Sequence, residues 1–288
     1  MIRLQTPVTD APCKVGISYN DRILLLGSCF TDNIGRLLKN YGFDACCNPF
    51  GTLYNPASIL SSIRRLKSCT EFVDEDCVEI GAGDNRTCSF YHHTSFARET
   101  REVFLDHANS ELIKASRFFH SCNKVIITLG TSWCFRHHDK DMIVSNCLKR
   151  NPNEFTRELL AMNQVHNMLI EIMSLCPDKE FIFTVSPIRH FKDGAHGNQL
   201  SKATLLLGIN ETIKDGQGDY FPAYEIMMDE LRDYRFYAED MCHPSQQAVG
   251  YIGERFLDWA LPSDEQEKLK ENIRTWKRGC HISTGTTD

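Results

Sequence analysis

Residues Ile23–Leu26 form an unbroken apolar run held between Arg22 and Gly27. A run this short, with no polar residue at alternate positions, predicts a strand buried on both faces, as in the interior of a parallel sheet. Directly after it, Gly27-Ser28-Cys29 allows a tight turn, and Thr31, Asp32 and Asn33 supply helix-start chemistry. Ile34, Leu37, Leu38 and Tyr41 then recur at helical spacing until Gly42 closes the segment. Two small side chains capable of nucleophilic attack therefore stand in a strand-to-helix turn, beside free N–H groups and the positive end of a helix dipole. That position suits an attacking residue. A plain βα turn with a buried cysteine has the same pattern.

Val125–Leu129 ends at Gly130-Thr131 and Phe181–Val185 ends at Ser186-Pro187, repeating the buried-strand signal. Phe43–Cys47 reads as a further strand, and Asn55-Pro56 opens a helix to about Lys67. Glu102–Arg117, Gln199–Ile213 and Gln246–Ala260 read as helices. So does Glu154–Leu175, with Phe155, Leu159, Met162, His166, Leu169 and Met173 on one face. Cys69–Ser95 reads as short strands away from the sheet, and His137–Leu148 as a hairpin turning at Asp139-Lys140-Asp141. Tyr220–Glu225 reads as a short strand and Asp229–Tyr234 as a helical turn. Buried strands alternating with helices predict an α/β fold, a three-layer α/β/α arrangement with a mainly parallel central sheet. In such sheets the site lies beyond the carboxyl ends of the strands. We expect an irregular lead-in over residues 1–20, one domain over 21–262, and a charged helix and tail over 263–288, disordered after Gly279.

Composition narrows the function. A net charge of −6 and a pI near 6.0 argue against a sequence-independent nucleic-acid binder, so no nucleic-acid partner is expected. No apolar run approaches the roughly 20 residues of a membrane span. The opening MIRLQTPVTDAPCKVG has no apolar signal core, which points to the cytoplasm. Thirteen scattered cysteines without a C-x-x-C pair fit a reducing compartment and neither a structural metal site nor a full disulfide framework.

Near the other end of the chain, Asp240-x-x-His243-Pro244 stands just before the last long helix. This spacing can place carboxylate and imidazole in one site, where the carboxylate fixes the tautomer and stabilises the imidazolium. Together with the turn at Gly27, it resembles the SGNH (GDSL-like) hydrolases. GSCF (27–30), NPFGTLYNP (48–56), TLGTSW (128–133), SPIRH (186–190), NQLSKA (198–203), FPAYEI (221–226) and DELRDYRFYAEDMCHPS (229–245) resemble the GSCFA family, which is grouped with those hydrolases.

The resemblance implies a three-layer α/β/α fold and hydrolysis of an ester or other acyl bond, with neither metal nor organic cofactor. It implies a small-molecule substrate or an acyl group on a glycan or lipid. Laid on the G-D-S turn of the larger group, the nucleophile is Cys29; Ser28 takes that role if the turn is one residue tighter. His243 and Asp240 complete the catalytic set. The oxyanion hole falls to the Cys29 N–H and Gly51. The asparagine of the G-x-N-D block is absent at Gly130–Trp133, leaving Ser132, Asn48 or Asn146 to substitute. At Leu148 the chain departs from the family, where a histidine is common. Arg189, able to hold an anionic group, and His190 are candidate substrate-binding residues with Gly130 and Thr131; Tyr234 and Tyr237 are weaker pocket candidates. The doublets His92-His93 and His137-His138 are expected on the surface. An acyltransferase and a ligand-binding module on a retired hydrolase scaffold are the alternatives.

Overall fold

The computed structural model describes residues 6–9, 12–214 and 218–283. β1 (Arg22–Gly27) delivers the chain to α1 (Cys29–Asn40), followed by β2 (Asp44–Cys47) and α2 (Pro56–Ser68). An antiparallel hairpin, β3 (Cys77–Glu79) and β4 (Thr87–Ser89), precedes α3 (Arg101–Ser121) and β5 (Lys124–Leu129). A separate three-stranded sheet, β6 (Trp133–His137), β7 (Met142–Val144) and β8 (Phe155–Leu159), comes next. α4 (Met162–Leu175), β9 (Glu180–Val185), α5 (Gly194–Ile213) and β10 (Asp219–Phe221) restore the alternation. α6 (Ala223–Glu225) runs into a π-helical turn at Ile226–Glu230, ahead of α7 (Gln246–Ala260) and α8 (Gln266–Ser283).

The central sheet is parallel throughout, in the order β10-β9-β5-β1-β2. Each inner strand divides its side chains between two cores. Leu24, Leu26, Val125, Ile127, Phe181 and Phe183 pack towards α2, α3, α4 and α5, while Ile23, Leu25, Ile126 and Ile182 pack towards α1 and α7. Burying one such side chain contributes about 1.5–3 kcal/mol, and the unbroken apolar runs follow from having helices on both faces. The chain leaves β1 for β2 on one side and returns to β5 on the other. The crevice between the ends of β1 and β5 is therefore a topological switch point. No helix of the described residues is long and apolar enough to cross a membrane.

Some expectations require correction. Phe155–Leu159 is a strand paired with β6, and α4 starts only at Met162. The apolar spacing from Phe155 runs through both elements, but the Gln164 side chain accepts the Ala161 N–H at 2.8 Å and fixes the helix start there. The expected helical turn near Asp229 is π-helical and lies earlier, at Ile226–Glu230. α8 continues past Gly279; residues 284–288 of the expected tail lie outside the described residues. Each histidine doublet has one buried member: His92 is fully buried among Phe50, Phe72, Phe96 and Phe104, and His137 packs on Phe90 and Phe155. Neighbours on extended chain point apart, so one of each pair meets the core.

Candidate active site

The turn after β1 is held by bonds that leave Cys29 out. Gly27 sits at φ +148°, and a Cβ there would lie 2.2 Å from the Thr128 carbonyl oxygen, so only glycine fits. Its N–H donates to Asn48 Oδ1 at 2.8 Å, and Asn48 Nδ2 donates to Asp32 Oδ1 at 2.7 Å. Ser28 is fully buried; its N–H donates to the Thr128 carbonyl at 3.3 Å, and its Oγ accepts the Phe30 N–H at 3.3 Å as the N-cap of α1. Cys29, the first residue of α1, is partly open to solvent. Burial pushes its thiol up, and Asp32 adds to this. The N–H groups of Cys29 and Phe30 pull the other way without prevailing. A helix N-terminus by itself favours a thiolate, but here burial and Asp32 outweigh it.

Asp240 and His243 form a closed pair. Asp240 Oδ1 accepts the N–H groups of Cys242 and His243, each at 2.9 Å, and its Oδ2 lies 2.5 Å from His243 Nδ1. These bonds, the His243 backbone N–H first, hold the Asp240 carboxyl down at about 2. The loop is pinned by Ala238 N–H to the His243 carbonyl at 2.7 Å and by Arg189 N–H to the Cys242 carbonyl at 3.1 Å. The second bond ties it to the segment leaving β9. That bond sets the loop beside the carboxyl end of β9, the same end of the parallel sheet at which β1 delivers Cys29. Among the described residues no hydrogen bond joins His243 to Cys29 or Ser28, and both side chains of the pair are half exposed.

Apart from the Cys29 N–H, the expected oxyanion donors are committed elsewhere. The Gly51 N–H donates to the Asn48 carbonyl at 2.8 Å, closing the Asn48–Gly51 turn. Both ends of the Asn48 amide clamp the Gly27 turn. Ser132 is fully buried, and its N–H and Oγ both bond Ser201. The Gly130 and Thr131 N–H groups share the Tyr54 carbonyl, at 2.8 and 2.9 Å. Asn146 Oδ1 accepts the Leu148 N–H at 2.8 Å.

The motif reading assigned no roles on α5. Asn198, Ser201 and Lys202 occupy the buried face of this helix, one turn deep, where apolar residues are usual. Asn198 Oδ1 accepts the His190 N–H at 3.0 Å, and its Nδ2 is buried without an acceptor. Lys202 is 1% exposed, and its Nζ donates to the carbonyls of Gly130 at 2.7 Å and Ser186 at 2.8 Å, joining the ends of β5 and β9. Burial first, and Arg189 next, bring this amine down to about 7, while Cys29 pulls it back up. Burial likewise brings His190 down to about 4, with Lys202 adding to the effect. The signal in the sequence was a polar i, i+3, i+4 set within NQLSKA.

Between these strand ends and the three-stranded sheet lies a cavity of about 480 Å³, lined in part by Tyr54, Thr131, Trp133, Phe135, Arg157 and His190. Arg157 stacks on Trp133 at 4.2 Å and pairs with Asp193. The Trp133 Nε1–H and His190 Nε2 are buried without partners. Among the described residues no group of acidic, histidine and cysteine side chains is arranged to hold a metal.

Solved structures similar to this chain include an acetyl xylan esterase from the rumen bacterium Butyrivibrio proteoclasticus (TM-score 0.42, 11% identity, 84% of this chain). The chain spans 64% of the length of that protein. A family 3 carbohydrate esterase of Clostridium thermocellum is similar at TM-score 0.41 and 11% identity, over 87% of this chain and 98% of that one. None of the curated proteins compared matches. The match that spans the turn at Gly27, the loop at Asn48, the NQLSKA helix and the Asp240–His243 loop together is to the model described as GSCFA family, over residues 22–256, and the chain belongs to that family.

Proposed function

We propose that the protein is an ester hydrolase with Cys29 as nucleophile, His243 as general base and Asp240 as the carboxylate that orients it. The observation carrying this reading is the Asp240–His243 pair, 2.5 Å apart and tethered to the segment after β9, at the end of the sheet that presents Cys29. Cys29 is favoured over Ser28 because the serine hydroxyl is buried and occupied as a helix cap. In this mechanism the thiol stays protonated until His243 turns towards it. Nε2 then takes the proton as Sγ attacks the carbonyl carbon. The oxyanion receives the Cys29 N–H at the start of α1 and, in this reading, the unpaired Asn198 Nδ2. Collapse of the tetrahedral adduct expels the alcohol with the proton from His243. Water activated by the same imidazole then hydrolyses the thioester and frees the acid. The cavity beside Trp133 takes one side of the ester.

The commitment of Gly51, Asn48 and Ser132 to internal bonds favours a second reading, a ligand-binding module that no longer turns over. Hydrolysis of 4-nitrophenyl acetate, with mass spectrometry of the trapped acyl adduct, separates the two. We expect a single acetyl group on Cys29 in wild type and none in Cys29→Ala. A folded wild type that neither hydrolyses the ester nor acquires the adduct supports the binding module.

A further inference from the structure

Beside the Asp240–His243 loop, with Met241 in its lining, lies a second cavity, of about 510 Å³, within the usual size range of small-molecule sites. Its floor is apolar: Met227 and Leu231 are buried in the core beneath it. Around it stand Phe191 (47% exposed), Met241 (47%) and Tyr234 (80%), three large apolar side chains left open to solvent in one place. Part of the wall comes from the π-helical turn Ile226–Glu230, a local distortion that often accompanies function.

The charged groups that line this cavity are Arg189, Arg232 and Asp233. Arg232 is paired with Asp229 at 2.6 Å, and Asp233 bonds the Arg235 backbone N–H at 2.9 Å and faces its side chain. Arg189 has no carboxylate partner among the described residues. Its Nε is shut off from solvent without an acceptor, its Nη1 reaches only the Met228 sulfur at 3.6 Å, and its guanidinium stands 5.4 Å from the Phe191 ring centre. A thioether is a weak acceptor for a group with five N–H donors. The other basic side chain nearby, Lys202, is also without a carboxylate and is turned to the Gly130 and Ser186 carbonyls. An uncompensated guanidinium in an apolar cavity is costly unless an anion completes it.

We propose that this cavity is a recognition site for a carboxylate carried on an apolar chain, with the carboxylate on Arg189 and the chain against Met227, Met228 and Phe191. One guanidinium with a planar fork matches one planar, singly charged carboxylate; a phosphate monoester brings nearly twice the charge. Met241 lies between Asp240 and His243 in the same loop, so a ligand seated here abuts the candidate catalytic pair. The substrate class is then an ester that bears a second, free carboxylate, and for that step the assignment rests on the esterase reading; the binding itself does not.

Titration calorimetry with hexanoate, hexanamide and inorganic phosphate tests the site without turnover. Wild type is expected to bind hexanoate at least tenfold more tightly than hexanamide or phosphate. Arg189→Gln should abolish that preference, and Arg189→Lys should retain part of it, with thermal melts showing both variants folded. Equal binding of hexanoate and hexanamide by wild type, a preference for phosphate, or an undiminished preference in Arg189→Gln overturns the proposal. A turnover arm compares 4-nitrophenyl hydrogen glutarate with 4-nitrophenyl acetate. Arg189→Gln should lower the ratio of their kcat/KM values at least tenfold. If neither ester is cleaved while the hexanoate preference stands, the esterase reading fails and the site survives; acetate turnover without that preference gives the reverse.

Discussion

The Ser28 hydroxyl is fully buried and accepts the Phe30 N–H, so it serves the cap of α1 rather than facing solvent. Ser28 and Cys29 should therefore fail differently when removed. Ser28→Ala should cost about 1 kcal/mol of stability, read as a fall in melting temperature, and leave most ester turnover. Cys29→Ala should melt near wild type and lose about 10³-fold or more in kcat. The reverse assignment of the two losses would identify Ser28 as the nucleophile. The thiol titration is a second residue-scale consequence. Because burial and Asp32 raise the Cys29 thiol, its alkylation by iodoacetamide should accelerate only above the ordinary thiol range. Asp32→Asn removes the nearby negative charge and should move the profile to lower pH; an unmoved profile would mean that Asp32 does not act on the thiol. From the sequence, the helix N-terminus and a nearby His243 would both favour a thiolate. The sequence does not show how deeply Cys29 is set or that Asp32 comes close.

At the scale of the element, α5 ties the ends of two strands together through Lys202. A neutral amine has two N–H groups, matching its two carbonyl acceptors. Its folded value near 7 lies below its unfolded one, so between the two the unfolded chain binds more protons. Stability from this group should therefore rise with pH from about 7 towards the ordinary lysine range of about 10.4. Lys202→Met should flatten that rise in denaturant titrations. At alkaline pH it should also cost about 2–4 kcal/mol for two orphaned carbonyls. A rise that survives the substitution would assign it to another group. The apolar runs of β1, β5 and β9 and the Asp240-x-x-His243 spacing were legible because each is local. The commitments of Asn48 and Ser132 were not, since they depend on a turn 21 positions earlier and on a helix side chain 69 positions later. Phe155–Leu159 was misread because a strand followed by a helix preserved an apparent helical spacing across Leu160-Ala161.

For the whole molecule, the central sheet separates two cores that share its strands, so loosening either one should loosen both. α8 belongs to this unit: Leu269 is 5% exposed in the core, Asn272 Nδ2 donates to the Tyr41 carbonyl at 2.9 Å, and Glu265, just before the helix, accepts the Tyr19 N–H at 2.8 Å. Leu269→Ala should cost about 2–5 kcal/mol and lower a single cooperative transition. A separate early transition would make the C-terminal helix an independent appendage. Ester turnover should fall only in step with the fraction unfolded, because α8 meets Tyr41 and Tyr19, at the opposite end of α1 from Cys29.

The ring of bonds around Gly27 has a further consequence. Asn48, Asp32, Thr128 and the Ser28 hydroxyl brace the turn without a hydrogen bond to Cys29 Sγ, so the proposed nucleophile is a passenger on a mount that is complete without it. Mount and warhead can then vary independently. If position 29 carries the attack we propose, exchanging sulfur for oxygen there would change which electrophiles are taken while leaving the fitting beneath unaltered, and chemistry could drift in such a lineage without any renegotiation of the fold.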